Sequence, residues 1–421
     1  MKSTPRIIII GGGLQGLSTA LALAHRGFPS ILLEQKPEIL CGASYGNEGK
    51  IHLGHVYAMD ASLRTGITMM RGATSFAPLL ERWCGRLDWA RWRCTPFRYA
   101  VMPGSLASVS YLESYYETLW STAQRTPGIS FDNYLGTKLT SLWSRSTTKS
   151  SDPALNGVPI PCIQSTELAI DTRYFNPALA QILQSHRLIH IQREYRVADA
   201  RRLGDHFVLS LETPNGPAQL KADIVINCAW SDRIRLDTAV GFAHHNPHQS
   251  YRVKHRILVK PKHPIGHLIP ITMVQGPFGD MVPFRDGLVY LSWYPECRTY
   301  FADRPPLAEA THPETLERIS RRTVEVFGEF YPALENAQVV SCKACIIVAK
   351  GDTDVHDPTS ELHQRSEGGP QGSNGWWSVD TSKLTLAPLY GEETARLVME
   401  EMGVRQPSGT TMSLDAVPLS A

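Results

Sequence analysis

The feature that most constrains this chain lies in its first 34 residues. Ile7, Ile8, Ile9 and Ile10 form a run of β-branched residues, the pattern of a strand buried on both faces of a parallel sheet. The run ends at Gly11-Gly12-Gly13-Leu14-Gln15-Gly16, after which Leu14, Leu17, Leu21 and Ala24 recur at helical spacing until Gly27. A second strand, Ile31-Leu32-Leu33, ends in Glu34, eighteen residues beyond Gly16. Each part has a mechanical reason. Gly11 makes the tight turn, Gly13 lets the backbone approach a pyrophosphate, and Gly16 allows helix to lie close on strand. The helix N-terminus offers free N–H groups and a positive dipole end, and Glu34 is placed to accept from a ribose hydroxyl. Residues 7–24 also have about the length of a membrane span, but a glycine triplet is costly inside a helix, so the segment reads as strand, turn and helix. A lone GxGxxG is weak; strand, helix and acid in register specify a dinucleotide site.

The glycine motif serves FAD and NAD alike. The choice comes from Cys41-Gly42-Ala43-Ser44-Tyr45-Gly46-Asn47-Glu48-Gly49-Lys50-Ile51-His52, where an NAD domain would continue with regular strand and helix alternation. These small residues and turn formers instead suit an extended backbone lying along a long cofactor. Here the sequence resembles the D-amino-acid oxidase superfamily of flavoproteins, which includes glycine oxidase, sarcosine oxidase and glycerol-3-phosphate dehydrogenase. Ala43-Ser44, Gly49 and Ile51-His52 match the family pattern small-Ser-x-x-x-x-Gly-x-Ile-His. Three more segments resemble it: Arg196-Val197-Ala198, the strand ADIVINCA at 222–229, and the closing loop Ser378-Val379-Asp380-Thr381-Ser382-Lys383-Leu384-Thr385. Trp230 and Ser382 stand where the family has glycine.

The resemblance implies an α/β fold, a Rossmann-type FAD-binding domain with an inserted α+β substrate domain containing a mostly antiparallel sheet. It implies FAD held by Gly11, Gly13, Leu14, Gln15 and Gly16, and by Glu34 with Gln35. Ala43, Ser44, Asn47, Glu48, Gly49, Lys50 and Ile51 follow along the tracking segment, then Val197, and Cys228, Ala229 and Trp230. Ser382, Lys383, Leu384 and Thr385 close the site, with a cation near the flavin N1 and O2 edge to stabilise the charge of the reduced ring. The implied reaction is oxidation of a C–N bond of an amine or amino acid. Oxidation of a 2-hydroxy acid or polyol phosphate stays open, as does a flavin-binding scaffold without turnover, which the substitutions at 230 and 382 suggest.

Residues 1–87, 162–246 and 337–421 are assigned to the FAD-binding domain. Two stretches unlike the Rossmann pattern, 88–161 and 247–336, form the substrate domain. Residues 64–83 read as a helix whose methionine and phenylalanine stripe is core, 364–375 as a surface loop, and residues from 406 as a loose tail. His52 and Lys50 are the first catalytic candidates, because they follow the cofactor-tracking segment directly. Lys254, Arg256 and Tyr294 come next. Strand alternation puts Arg252, Lys254 and Arg256 on one face, which could bind an anionic substrate or simply meet solvent.

Lys plus Arg number 42 against 40 Asp plus Glu, too even a balance to hold a nucleic acid. Eight scattered cysteines and no leader fit a reduced, cytoplasmic setting. Cys342 and Cys345 form one CxxC on a strand, facing opposite ways, with no second ligand pair in range, so no metal is expected. The acid-rich turn Gly351-Asp352-Thr353-Asp354-Val355-His356-Asp357 lacks the spacing of a calcium loop. The expected partner is a small molecule, for which the cationic strand face leaves an anionic one open, and the sequence does not set the oligomeric state.

Overall fold

The computed structural model describes residues 5–144, 153–155, 158–244, 248–266, 268–306 and 312–404. The expected tail from 406 lies outside them. The isoleucine run is the central strand Ile7–Ile10 of a six-stranded sheet, flanked in parallel by Ser30–Glu34 and Ile224–Asn227. Ile189–Arg193 continues the sheet on one side, and Trp376–Asp380 with its antiparallel neighbour Gly369–Ser373 on the other. All four isoleucines are buried. The helices Leu14–His25 and Ala387–Glu401 lie against each other, so close that a Cβ on Gly391 would meet the Ser18 backbone at 2.7 Å. On the other face an antiparallel meander, Arg196–Leu203, His206–Thr213 and Gly216–Ala222, buries Phe207, Leu209 and Leu211 against Ile8, Ile10 and Leu33.

The second sheet has nine strands and is mostly antiparallel. Its spine is Gln249–Lys260, which pairs along its length with Gln338–Lys350. On its other side it pairs first with Arg298–Ala302 and then with Val289–Trp293. The sheet continues through Gly279–Pro283, Ile271–Val274, Arg98–Val101, Cys162–Ser165 and Trp143–Ser144. Helix Pro313–Phe330 covers one face, seating Ile319, Val324, Phe327 and Phe330 on Ile257, Met281 and Leu291. This is the mixed α/β architecture expected, with a parallel Rossmann-type sheet and a mostly antiparallel one. Two strands that the sequence assigned to the cofactor-binding portion, Cys162–Ser165 and Gln338–Lys350, are hydrogen-bonded into the larger sheet. Alternation within a strand says which face a side chain takes, not which sheet the strand joins.

The helix expected at 64–83 is Arg64–Cys84, with Met69, Met70 and Phe76 fully buried. The stretch 364–375 is not a simple surface loop: it opens with a buried Arg365 and continues into the edge strand Gly369–Ser373. Among the described residues no helix is long and apolar enough to cross a membrane.

Candidate active site

A single cavity runs from the glycine turn to the strand Gln249–Lys260. Gly11 has φ +103, and a Cβ there would fall 2.6 Å from the Cys228 carbonyl oxygen; one on Gly16 would fall 2.0 Å from that of Gly11. A Cβ on Gly13 would meet only Ser44 Oγ, at 3.3 Å. The first two glycines are thus required by the fold, and the third faces the cavity. The Leu14 N–H donates to Ser44 Oγ at 2.9 Å, which ties the segment after the second strand to the helix N-terminus. Glu34 accepts from the Gly12 and Lys36 N–H groups at 2.7 and 2.8 Å, and burial pushes its carboxyl above the usual range.

Most residues chosen from sequence meet here. Gly11, Gly13, Leu14, Gln15, Glu34 and Gln35 line the cavity, followed by Ala43, Ser44, Asn47, Glu48 and Lys50. Val197, Cys228, Ala229, Trp230, Ser382, Lys383 and Leu384 complete that side. Gly16, Gly49, Ile51 and Thr385 do not line it, and each has a supporting role. Gly49, at φ +76, lets the chain pass the Ile170 carbonyl, which a Cβ would strike at 1.9 Å. Ile51 pairs with Leu168, and Thr385 Oγ1 accepts from the His52 N–H at 2.8 Å, joining the closing loop to the tracking segment. Asn47 braces its own turn, donating to Ala43 O at 2.6 Å and accepting from the Gly49 N–H at 2.6 Å.

The two departures from glycine keep a glycine-like backbone. Trp230 has φ +54 and Ser382 φ +56, a left-handed conformation that costs a residue with a Cβ about 1–2 kcal/mol. At position 230 the indole compensates: Nε1 donates to the Ile346 carbonyl at 2.8 Å, and the ring packs on Tyr251, Ile346 and Val348.

Of the catalytic candidates, His52, Lys50, Lys254 and Tyr294 line the cavity. Arg256 does not. It is buried, with its guanidinium 4.2 Å from the centre of the Tyr45 ring. The cationic face of the strand is therefore not solvated: Arg252 is bound to Asp354 and Ser250, and only Arg252 and Lys254 reach the cavity. Tyr294 donates to Asp354 at 2.6 Å and is committed to that acid. Lys50 Nζ contacts Thr272 Oγ1 and lies 3.0 Å from Asp280 and 4.6 Å from the Phe97 ring centre. Lys254 Nζ lies 3.5 Å from the other Asp280 oxygen. Burial alone would push the Asp280 carboxyl up; the two lysines more than offset this and hold it well below the usual range. Lys383 has no acid at ion-pair distance among the described residues, and burial with Arg365 nearby lowers its ammonium to about 8.

Sequence reading missed Tyr57 and Arg365. Both line the cavity and are under 10 % exposed. Arg365 Nη1 donates to the Val348 carbonyl at 3.1 Å, while its Nε has no partner. Gln15 Oε1, the Tyr57 hydroxyl and Ser382 Oγ are likewise buried, unpartnered and on the cavity wall. Buried polar atoms are rarely left unpaired, so these mark where a polar ligand completes the structure. A turn backbone open at Gly13, an acid at the ribose end and cations at the far end fit a dinucleotide bearing a reducible ring. No group of three His, Cys, Asp or Glu able to hold a metal occurs among the described residues.

Comparison with known proteins agrees with this geometry. A D-amino acid dehydrogenase from Cereibacter sphaeroides is 27% identical over 135 residues, and the match spans 30% of this chain and 30% of that relative. The fold is shared with glycine oxidase from Geobacillus kaustophilus, at a TM-score of 0.66 and 15% identity, covering 96% of each chain. It is shared too with L-alpha-glycerophosphate oxidase from Mycoplasma pneumoniae with FAD bound, at a TM-score of 0.62 and 15% identity, covering 94% of this chain and 95% of that one. The family model described as DAO, FAD dependent oxidoreductase, matches residues 6–397. This chain belongs to that family, and its cofactor is FAD.

Proposed function

We propose that the enzyme oxidises the C–N bond of an amino acid or another amine carrying an anionic group. One observation carries this reading: the cavity is lined both by Arg365, whose guanidinium has no acid at ion-pair distance among the described residues, and by the buried imidazole of His52, whose Nε2 meets no protein donor among them. A buried arginine with free donors suits a carboxylate, and the Tyr57 hydroxyl stands ready to add a hydrogen bond. FAD supplies the hydride acceptor. An ammonium cannot release hydride from its carbon, so the substrate nitrogen must first lose a proton. Burial keeps His52 below the usual histidine range and thus neutral, and Lys50, Lys254 and Lys383 make the cavity unfavourable for an ammonium.

A second reading, oxidation of a 2-hydroxy acid or polyol phosphate, is favoured by the same histidine, which could equally take a hydroxyl proton. Anaerobic titration of the purified yellow protein decides between them. The expected outcome is bleaching of the visible flavin band by an amino acid or carboxylated amine. Bleaching by a hydroxy acid or glycerol phosphate, with every amine inert, would establish the second reading. Reduction by dithionite but by no metabolite would leave a flavin-binding scaffold. Arg365→Leu should raise KM by about 100-fold, the effect of removing one partner of a buried charge pair, with a smaller change in kcat.

A further inference from the structure

Glu167 is wholly buried and does not line the cavity, yet three hydrogen-bonding groups and the ring of His52 converge on its carboxylate. The Leu53 N–H donates to Oε2 at 2.6 Å, and His55 Nδ1 lies 3.2 Å from the same oxygen. The Tyr99 hydroxyl donates to Oε1, and His52 Nδ1 lies 3.3 Å from it. Burial alone would push this carboxyl up; His52 and His55 reverse that and hold it well below the usual range.

His55 is pinned at both ends. Its ring stacks on Tyr99 and meets Tyr116 edge-on, and its Nε2 lies 3.1 Å from the Leu142 carbonyl oxygen. A carbonyl only accepts, so Nε2 carries a hydrogen; an ionised carboxylate only accepts, so Nδ1 carries one too. With a hydrogen on each ring nitrogen, the pair is a buried imidazolium against a carboxylate, of zero net charge.

His52 completes the set. Its Nδ1 is buried and makes no hydrogen bond of normal geometry, but it lies 3.3 Å from Glu167 Oε1, so a hydrogen on the neutral ring is favoured at Nδ1, beside the carboxylate. Nε2 then carries the lone pair, and no protein donor meets it among the described residues. The other groups facing His52 are Tyr57, at 5.8 Å between ring centres, and the ammonium groups of Lys50 and Lys383. We propose that Glu167, charge-balanced by His55, fixes His52 as the Nδ1–H tautomer and so turns the Nε2 lone pair toward the substrate. Glu167 and His55 are then positioning residues, and His52 is the catalytic proton acceptor. In the reaction one proton of the substrate ammonium goes first to His52 Nε2, and the C–H hydrogen then leaves with its electron pair for FAD, giving an iminium. This last step rests on the C–N reading; the tautomer does not.

The test reads the ring nitrogens directly. In the FAD-loaded protein labelled with ¹⁵N-histidine, assigned with His52→Gln and His55→Gln, His52 should show a protonated Nδ1 and an unprotonated Nε2 at neutral pH, and His55 two protonated nitrogens. An Nε2–H tautomer at His52, or a neutral His55, overturns the proposal. Glu167→Gln should redistribute the His52 tautomers and slow anaerobic flavin reduction by about 10²- to 10⁴-fold, the range of general acid–base contributions, with FAD still bound. In a His52→Ala background the same substitution should slow it by less than about threefold. An equal loss in both backgrounds would mean that Glu167 only supports the fold. If no substrate bleaches the flavin, the functional reading fails, while the nitrogen shifts still decide the tautomer.

Discussion

Three glycines of one motif carry different loads, and substitution separates them. A methyl on Gly16 would sit inside the Gly11 carbonyl contact at 2.0 Å, whereas one on Gly13, whose φ of −75 suits any residue, meets only a serine hydroxyl. Gly16→Ala should yield little folded protein. Gly13→Ala should leave the melting temperature of the FAD-free protein within about 1 °C of the parent yet weaken FAD binding by roughly tenfold or more, as measured by flavin fluorescence. Lys383 makes a second distinction at this scale. Its proton affinity is depressed to about 8, so it is a cation below that pH and neutral above it. Lys383→Met should lower the flavin midpoint potential by roughly 30–60 mV at pH 7, about 1.4–3 kcal/mol for two electrons. Spectroelectrochemistry across pH should find that gap closing above pH 8, because the parent loses its charge there. An unchanged gap at pH 9.5 would place the stabilising charge elsewhere.

Elements were legible in sequence where period and punctuation agreed. The helices Leu14–His25 and Arg64–Cys84 fall where periodicity put them. Alternation along Gln249–Lys260 was also read correctly, but alternation names a face and not what covers it. Arg256 lies under Tyr45 while Lys254 reaches the cavity, a difference set by the loop folded over the strand. Burial is equally hidden from a helical wheel. Glu393, on Ala387–Glu401, is pushed up to about 7 by burial, with Arg71 and Arg396 only partly offsetting this. Its folded value lies above the unfolded one, so the penalty is absent below about pH 4.5, grows between there and about 7, and is fully present above. Glu393→Gln should therefore raise the melting temperature at pH 8, by roughly 1 kcal/mol of stability after allowance for partial exposure. It should leave the melting temperature unchanged at pH 4; an equal gain at both pH values would point to packing instead.

At the scale of the molecule, the residues expected to hold the cofactor could be named from sequence because they follow one another along short segments that would track a long ligand, and most of them line one cavity. The residues proposed for the substrate could not. Tyr57, Glu167 and Arg365 come from three distant stretches, and each looks ordinary where it stands, Arg365 within a run of glycines and serines. They acquire meaning only when the larger sheet is laid against the smaller one. The same closure shapes the rim of that sheet. The outward carbonyls of Ile346 and Val348, on its last strand, are taken by the Trp230 indole and the Arg365 guanidinium. A foreign strand approaching that end finds its acceptors already engaged, whereas the end with exposed Val339 and Val340 lacks such a cover. The arginine proposed to take a substrate anion thus also occupies an acceptor on an open strand edge, so one side chain would serve both binding and the guarding of that edge.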